Sequence, residues 1–244
     1  MRKIISPRKL IEVALPLDDI NGASGYEKLP GIGAHPRGIH HWWARRPFGA
    51  ARAILFAQLV NDPGGERGYF PGKTKVQADQ EREALFEIVR GLADWKRSDD
   101  RELINRATLA IKESWAETCS LNKGKEGFDP ACLPDLHDPF AGGGAIPLEA
   151  QRLGLNSYAS DLNPVAVMIN KGMIEIPGRF SGRNPLGPIP SSEKQYALSE
   201  DFSGSKGLAE DYRRYGHYVN EKAKDLLGSL YPQYELTEEL CANR

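Results

Sequence analysis

A glycine-rich stretch at residues 136–150 combines the residue types that build a ligand-binding turn between a strand and a helix. The glycines at 142–144 let the backbone turn tightly and approach a ligand closely. The helix that follows aims free N–H groups and a partial positive charge at the turn. A second short strand at 157–160 leads into Asp161, about twenty residues beyond the turn, an offset at which an acidic side chain suits ribose hydroxyls. The pattern predicts half of a nucleoside-binding crevice.

The spacing of the glycines argues against two common kinds of nucleotide site. A dinucleotide fingerprint needs Gly-x-Gly-x-x-Gly, which the triplet at 142–144 does not provide. No Lys-Ser or Lys-Thr pair follows the triplet, so a phosphate loop for ATP or GTP is not indicated. A strand–turn–helix without a ligand is the alternative interpretation of a bare glycine triplet. The flanking residues favour a cofactor, because Asp-Pro-Phe at 138–140 precedes the turn and Ser-Asp-Leu-Asn-Pro at 160–164 follows it.

The stretch resembles the first motif of the DNA amino-methyltransferases, Asp-Pro-Phe-x-Gly-x-Gly followed by a helix. In that family the turn holds S-adenosyl-L-methionine. The resemblance implies that Asp138 faces the methionine end of the cofactor, that Phe140 packs beside it, and that the turn glycines allow its close approach. It also implies that Asp161 binds the ribose and that Leu162 flanks the adenine. The predicted cofactor-binding residues are Asp138, Phe140, Ala141, Gly142, Gly144, Asp161, Leu162 and Arg46.

Arg46 enters this set through a cluster at residues 41–47, His-Trp-Trp-Ala-Arg-Arg-Pro, which allows three interpretations. In the first, the tryptophans belong to the core and the arginines pair with carboxylates. In the second, the arginines contact phosphates and the aromatic rings stack on an unstacked base of DNA. The third rests on a resemblance, since some amino-methyltransferases carry a His-Pro-x-x-Lys-Pro element that closes over the methionine carboxylate. Arg46 stands in the place of its lysine.

Composition limits the class of protein. The 244 residues include 40% hydrophobic and 27% charged residues, which predicts a packed core. A formal net charge of −1 gives no overall sign of nucleic-acid binding, so any contact with DNA must come from a local basic patch. Cys119, Cys132 and Cys241 are too far apart to indicate a zinc site or a disulfide framework. No apolar run reaches membrane-spanning length and no signal peptide is recognisable, so we expect a cytoplasmic location and no membrane partner.

Hydrophobic periodicity predicts the helices that position these residues. The predicted helices lie at residues 48–60, 78–95, 100–118 and 208–230. The helix at 48–60 is apolar almost all round and should be buried. The helix at 208–230 has an apolar stripe, which we interpret primarily as a packing surface and secondarily as a surface for interaction with partners. Asn163 and Pro164 predict a further helix start, as cap and first residue.

The remaining segments predict shorter or irregular structure. Residues 1–17 begin basic and turn apolar, which indicates a short helix. Residues 21–38 are rich in glycine and proline and are expected to form a loop. A short strand is expected at 174–176, followed by a long excursion without periodicity at 177–207.

The motif with which amino-methyltransferases perform their chemistry, Asp/Asn/Ser-Pro-Pro-Tyr/Phe/Trp, is absent from the sequence. In that family it holds the target amine in line with the methyl group and stacks on the flipped base. The chain also offers too few strands for a seven-stranded methyltransferase sheet. We therefore assign no catalytic residue. We expect the chain to be an N-terminal piece that does not methylate alone, with the catalytic region beyond residue 244.

The order of motifs along the chain resembles one family as a whole. Residues 6–12, the Glu27-Lys28 pair, the cluster at 41–47 and the Asp138 turn follow one another as in the large adenine-specific DNA methylases with an N-terminal domain of unknown function, of the DUF1156 type, found near restriction or phage-defence genes. The resemblance implies an α/β fold, with a partial Rossmann-like S-adenosylmethionine-dependent methyltransferase sheet preceded by a mostly helical N-terminal region. The expected divisions are a helical region at 1–130, the start of the cofactor-binding domain at 131–180, and an excursion with an amphipathic helix at 181–244.

The function implied is that of the cofactor-binding part of a DNA adenine-N6 methyltransferase, linked to restriction-modification or phage defence. DNA would be reached through the full-length protein or a partner subunit, and no metal is needed. Two alternatives stay open: a methyltransferase that acts on RNA or protein, and a non-catalytic module that regulates or scaffolds a complex. Failure to bind the cofactor would favour the second alternative.

Overall fold

The structure, a computed structural model, describes residues 4–32, 35–64, 72–189 and 201–231. In these residues the protein is mostly helical and holds one parallel sheet of two strands. The chain divides into two compact units, Met1–Glu175 and Ile176–Arg244. The helices of the first unit are α1 (Leu10–Val13), α2 (Leu17–Glu27), α3 (Phe48–Leu59), α4 (Lys75–Ala93), α5 (Arg101–Leu121), α6 (Ala145–Arg152) and α7 (Pro164–Asn170). Its strands are β1 (Leu136–Asp138) and β2 (Ser157–Ala159).

Helix α3 lies in the core of the first unit, where it packs against α2, α4 and α6. Its sequence is apolar almost all round, and Phe48, Ala53, Phe56 and Ala57 have no exposed surface. Full burial of a phenylalanine side chain stabilises a fold by roughly 1.5–3 kcal/mol relative to exposure. The buried helix predicted at 48–60 is confirmed.

Helices α4 and α5 span most of the chain between α3 and the glycine turn. Each begins at a side-chain cap: Thr74 accepts a hydrogen bond from the N–H of Gln77, and Asp100 accepts one from the N–H of Leu103. The apolar faces of the two helices are buried through Val89, Leu92, Leu103, Ala107 and Ile111. The amphipathic helices predicted at 78–95 and 100–118 are confirmed.

The loop predicted at 21–38 is wrong over its first part, since α2 runs to Glu27. Gly22 and Gly25 lower the intrinsic helix propensity of this segment. Burial of Ile20 and Glu27 on the inner side of α2 outweighs that cost. Tertiary packing therefore decides the structure here.

The strand predicted at 174–176 is also wrong. A π-helical turn covers Lys171–Glu175, and α8 (Ile176–Phe180) follows directly. A short apolar run does not by itself distinguish a strand from a helix. The short helix expected within residues 1–17 is α1, and residues 1–3 lie outside the described residues.

Strands β1 and β2 pair in parallel, with Leu136 opposite Ser157 and Asp138 opposite Ala159. Helix α6 connects them and packs against α3, which joins the sheet to the helical part of the unit. The strand–turn–helix–strand order predicted at 136–161 is confirmed, within a protein that is mostly helical. The expected divisions after residues 130 and 180 stay predictions.

The second unit contains α8, α9 (Lys206–Leu227) and a short 3-10 turn at Gly228–Leu230. Asp211 of α9 accepts hydrogen bonds of 2.6 Å from the backbone N–H groups of Leu186 and Gly187. These bonds fix the chain before α9 to the helix. The excursion predicted at 177–207 is helical at its start, and its residues 190–200 lie outside the described residues.

The helix predicted at 208–230 is confirmed, but the expected packing of its apolar stripe is wrong. Tyr212, Tyr215, Val219, Leu226 and Leu230 are all exposed. The spacing of apolar residues predicts a helix because it reflects the 3.6-residue period, whereas it does not show whether a partner surface is present.

Candidate functional site

The carboxyl ends of β1 and β2 lie side by side and carry residues of the predicted cofactor site. The carbonyl oxygen of Asp138 accepts a hydrogen bond of 2.9 Å from the N–H of Ser160. The chain then turns back, and the N–H of Ala141 donates to the carbonyl oxygen of Ser160 at 3.1 Å. These two bonds tie the glycine turn to the segment that carries Asp161.

The carboxylate of Asp161 binds this turn directly. Its Oδ1 accepts a hydrogen bond of 2.8 Å from the N–H of Asn163, and its Oδ2 accepts one of 2.8 Å from the N–H of Gly142. The N–H groups of Asn163 and Gly142 stabilise the charged form and lower the pKa of Asp161 below its ordinary value. Each carboxylate oxygen has a further lone pair, so Asp161 keeps the capacity to accept hydrogen bonds from ribose hydroxyls.

Replacement of Asp161 by asparagine is expected to lower the melting temperature at neutral pH, because the amide offers one acceptor oxygen to two N–H donors. The pKa of Asp161 is depressed in the folded state, so its contribution is present above the unfolded pKa of about 3.9 and is lost as the pH falls through the folded pKa. Thermal unfolding of the wild type and of Asp161→Asn should therefore differ at neutral pH and converge in acid. A difference that does not depend on pH would contradict this role.

The glycine turn is required by the protein's own packing as well as by any ligand. Gly142 and Gly144 have φ angles of +49° and +75°, which side chains rarely adopt. A methyl group on Gly142 would lie 2.8 Å from Nε1 of Trp42, and one on Gly144 would lie 2.6 Å from Cε of Met173. The indole of Trp42 therefore packs against one side of the turn.

Glu27 positions the segment that carries Trp42 and Arg46. It is buried at the N-terminus of α3, where its Oε1 and Oε2 accept hydrogen bonds from the N–H groups of Phe48 and Gly49 at 2.7 and 2.9 Å. A carboxylate is favourable at the positive end of a helix. Nε2 of His35 lies 3.1 Å from Oε1 of Glu27 and adds a third contact. The cluster at 41–47 is thus fixed where it enters α3.

The roles of Glu27 and Arg45 were not apparent from the residues themselves. A single glutamate at the end of a glycine-containing segment has no pattern that predicts a buried cap. Arg45 donates from Nη2 to the carbonyl oxygen of His40 at 2.7 Å, and its Nε would lie 3.3 Å from a methyl group on Gly143. Burial lowers the pKa of Arg45, and its other side-chain nitrogens find no hydrogen-bond partner among the described residues.

One cavity of about 360 Å³ brings most of the predicted site residues together. From the strand ends and the turn it is lined by Asp138, Phe140, Ala141, Gly142 and Asp161, and from the cluster by Trp42, Ala44 and Arg46. The volume falls within the range of small-molecule sites, roughly 300–1,000 Å³. The cavity combines two carboxylates with one guanidinium, so it offers partners to both charges of an amino-acid zwitterion.

Two residues of the predicted set are not among those that line this cavity. Gly144 faces Met173 and Asn170, on the inner side of the turn. The side chain of Leu162 is 100% exposed, so nothing in the described residues holds it in place. Phe140 does line the cavity and is 86% exposed as a residue.

Other kinds of site are not found in the part of the chain that the structure describes. There, His, Cys, Asp and Glu side chains form no group of three or more that could hold a metal ion. Cys119 is buried and Cys132 is exposed, both are free thiols, and Cys241 lies outside the described residues. Among the described helices, none is both long and apolar enough to cross a membrane.

Comparison with known proteins shows a similarity to one family model over part of this unit. Residues 14–88 match the model of a family described as "Protein of unknown function (DUF1156)". The match covers α2, α3 and most of α4, together with the cluster at 41–47, and supports the N-terminal domain of this type that the sequence predicts. Neither the curated proteins nor the solved structures contain a significant match. The methylase part of the resemblance stays a prediction.

Proposed function

We propose that the cavity at the ends of β1 and β2 binds S-adenosyl-L-methionine. The observation that carries the proposal is the convergence of Arg46, Asp138, Asp161 and the glycine turn on one cavity. Arg46 is far from the other three in sequence, so a chance local pattern does not account for its presence. The adenosyl and methionyl parts of this cofactor need a ribose acceptor, a carboxylate partner and an ammonium partner, and the lining supplies all three.

Each side chain has a defined part in this proposal. Asp161 accepts the ribose hydroxyls, since its oxygens retain free lone pairs beside the bonds to Gly142 and Asn163. Arg46 pairs with the methionyl carboxylate, and Asp138 faces the methionyl ammonium. The bound cofactor supplies an activated methyl group, and the residues of this chain bind and orient it.

We further propose that the methyl acceptor is the exocyclic N6 of adenine in DNA. This finer assignment is supported by the Asp-Pro-Phe motif and by the order of motifs along the chain, both of which resemble adenine-specific DNA methylases. A link to restriction-modification or phage defence is proposed on the same resemblance. No residue described here is assigned to the transfer step itself.

Replacement of Arg46 by alanine is expected to weaken binding of sinefungin, an unreactive analogue of the cofactor, by about tenfold or more, because a hydrogen bond to a charged group contributes about 1.5–3 kcal/mol. Isothermal titration calorimetry gives the affinity directly. Adenosine lacks the amino-acid end, so its affinity should be the same for Arg46→Ala and the wild type.

Arg106→Ala is a matched control, since Arg106 is an exposed arginine on α5 away from the cavity. It should bind both ligands as the wild type does. Equal sinefungin affinity for the wild type and Arg46→Ala would remove Arg46 from the site. Absence of binding by the wild-type chain would overturn the proposal and favour a non-catalytic module.

A further inference from the structure

The rim of the cavity carries an exposed aromatic surface that cofactor binding does not use. Trp43 is 83% exposed and does not line the cavity, although it follows Trp42 directly. Exposure of so much indole surface costs stability that a buried tryptophan would contribute. The exposed indole surface is therefore available to a ligand.

Trp43 is held in a defined orientation. Its ring stacks on that of Trp42, with centroids 4.7 Å apart and an angle of 19° between the ring planes. Trp42 is itself fixed, because its indole lies against Gly142 and Gly143 of the turn. Trp42 therefore covers part of one face of Trp43, and most of the ring is open to a flat ligand.

The segment that carries Trp43 is rich in basic residues. Residues 35–47 contain three arginines and three histidines and no aspartate or glutamate. Arg37 and Arg45 donate their hydrogen bonds to backbone carbonyls, and Arg46 is exposed without a carboxylate partner among the described residues. The carboxylates near this segment accept hydrogen bonds from backbone N–H groups. Glu27 accepts from the N-terminus of α3. Asp161 and Asp138, which line the neighbouring cavity, accept from Gly142 and Asn163 and from Phe140, respectively.

We propose that Trp43 is a stacking platform for an unpaired nucleobase and that the positive charge of residues 37–46 attracts the adjoining phosphates. An open aromatic face beside positive charge is the combination that binds single-stranded nucleic acid. A duplex would not use it, because its bases expose only their edges in the grooves. An apolar protein surface would not match the charge. Binding of nucleic acid at Trp43 does not need the cofactor. Only a role of this binding in methyl transfer rests on the proposed function.

The test is fluorescence anisotropy of a labelled oligothymidylate, measured without cofactor. Trp43→Ala should weaken binding about tenfold, since a base stacked on an aromatic ring contributes about 1–3 kcal/mol, and Trp43→Phe should retain most of the affinity. A strand of the same length without bases should bind the wild type and Trp43→Ala equally. Tyr212→Ala, which removes an equally exposed aromatic ring from α9, should have no effect.

Three results would overturn the platform. The first is equal affinity of the wild type and Trp43→Ala for the oligothymidylate. The second is that the wild type binds the strand without bases as tightly as it binds the oligothymidylate. The third is a change in the association state of Trp43→Ala without nucleic acid. The last would assign Trp43 to a contact between copies of the chain. Sinefungin binding by Trp43→Ala, measured in parallel, separates this outcome from failure of the proposed cofactor site.

Discussion

Replacement of Gly49 by alanine is expected to destabilise the protein by about 3 kcal/mol, the upper part of the usual range for overpacking a core. Intrinsic propensity alone predicts the opposite, since alanine favours a helix over glycine by about 1 kcal/mol. Gly49 lies in the first turn of α3, where the end of α4 crosses it. A methyl group at this position would overlap the carbonyl oxygen of Ala93. This oxygen belongs to the backbone, so a change of side-chain rotamer cannot relieve the overlap.

The matched control is Gly22→Ala. Gly22 lies in α2 with no atom within 4 Å of a methyl group built on it, so this substitution should stabilise the protein by up to about 1 kcal/mol. Urea denaturation of both variants gives the free energy of unfolding. If Gly49→Ala were as stable as Gly22→Ala, the close crossing of α3 and α4 would be wrong.

The position of Gly49 also bears on the site. Its N–H donates to Glu27, which fixes the start of α3 and therefore the cluster that contains Arg46. A shift of α3 that relieves the overlap with Ala93 would move this cap. Gly49→Ala should thus lose sinefungin affinity in step with stability, which distinguishes it from Arg46→Ala.

The second large effect is expected at Glu149 of α6, whose side chain is fully buried beside Arg52 of α3. Glu149→Leu should destabilise the protein by about 3–5 kcal/mol, because it leaves the buried charge of Arg52 without a partner. Oε2 of Glu149 lies 3.6 Å from Nη1 of Arg52, and Oε1 lies 3.1 Å from Nη1 of Arg152. Burial raises the pKa of Glu149, while the two guanidinium groups oppose that rise.

Arg52→Met should cost less than Glu149→Leu. After this change Glu149 still pairs with Arg152, and the carbonyl oxygen of Leu92 loses the two hydrogen bonds that Arg52 donates, at 2.7 and 3.0 Å. The double variant should recover part of the loss, since it removes both buried charges. Additive free energies in urea denaturation would show that the two residues do not act as a pair.

This pair explains why the segment that matches the DUF1156 model and the glycine turn form one unit. Arg52 lies within residues 14–88, whereas Glu149 follows the turn by a few residues on α6. Packing of α3 against α6, with the buried pair between them, fixes the turn relative to the cluster. The cavity depends on both parts.

Local features of the site could be predicted from the sequence because their causes are local. Glycines at φ angles of +49° and +75°, and the Asn163 cap that accepts from the N–H of Val165 at 2.9 Å, act within a few residues of themselves. The apolar period of α4 and α5 likewise reports a helix directly. Strand β1, the turn, α6 and β2 follow from such signals.

Features that depend on distant contacts could not be predicted in the same way. The contact of Trp42 with Gly142 joins residues a hundred positions apart, and no spacing rule reports it. Helix α2 forms despite Gly22 and Gly25 because Glu27 and Ile20 are buried. In α9 the helical period of apolar residues is present, but these residues are exposed.

The most direct test of the account is a crystal structure of the chain with sinefungin at a concentration that saturates the calorimetric binding curve. The account predicts the ribose hydroxyls on Asp161, the adenosyl group beside the turn at 142–144, and the carboxylate of the ligand on Arg46. Sinefungin bound elsewhere, or a crevice that stays empty under these conditions, would contradict it.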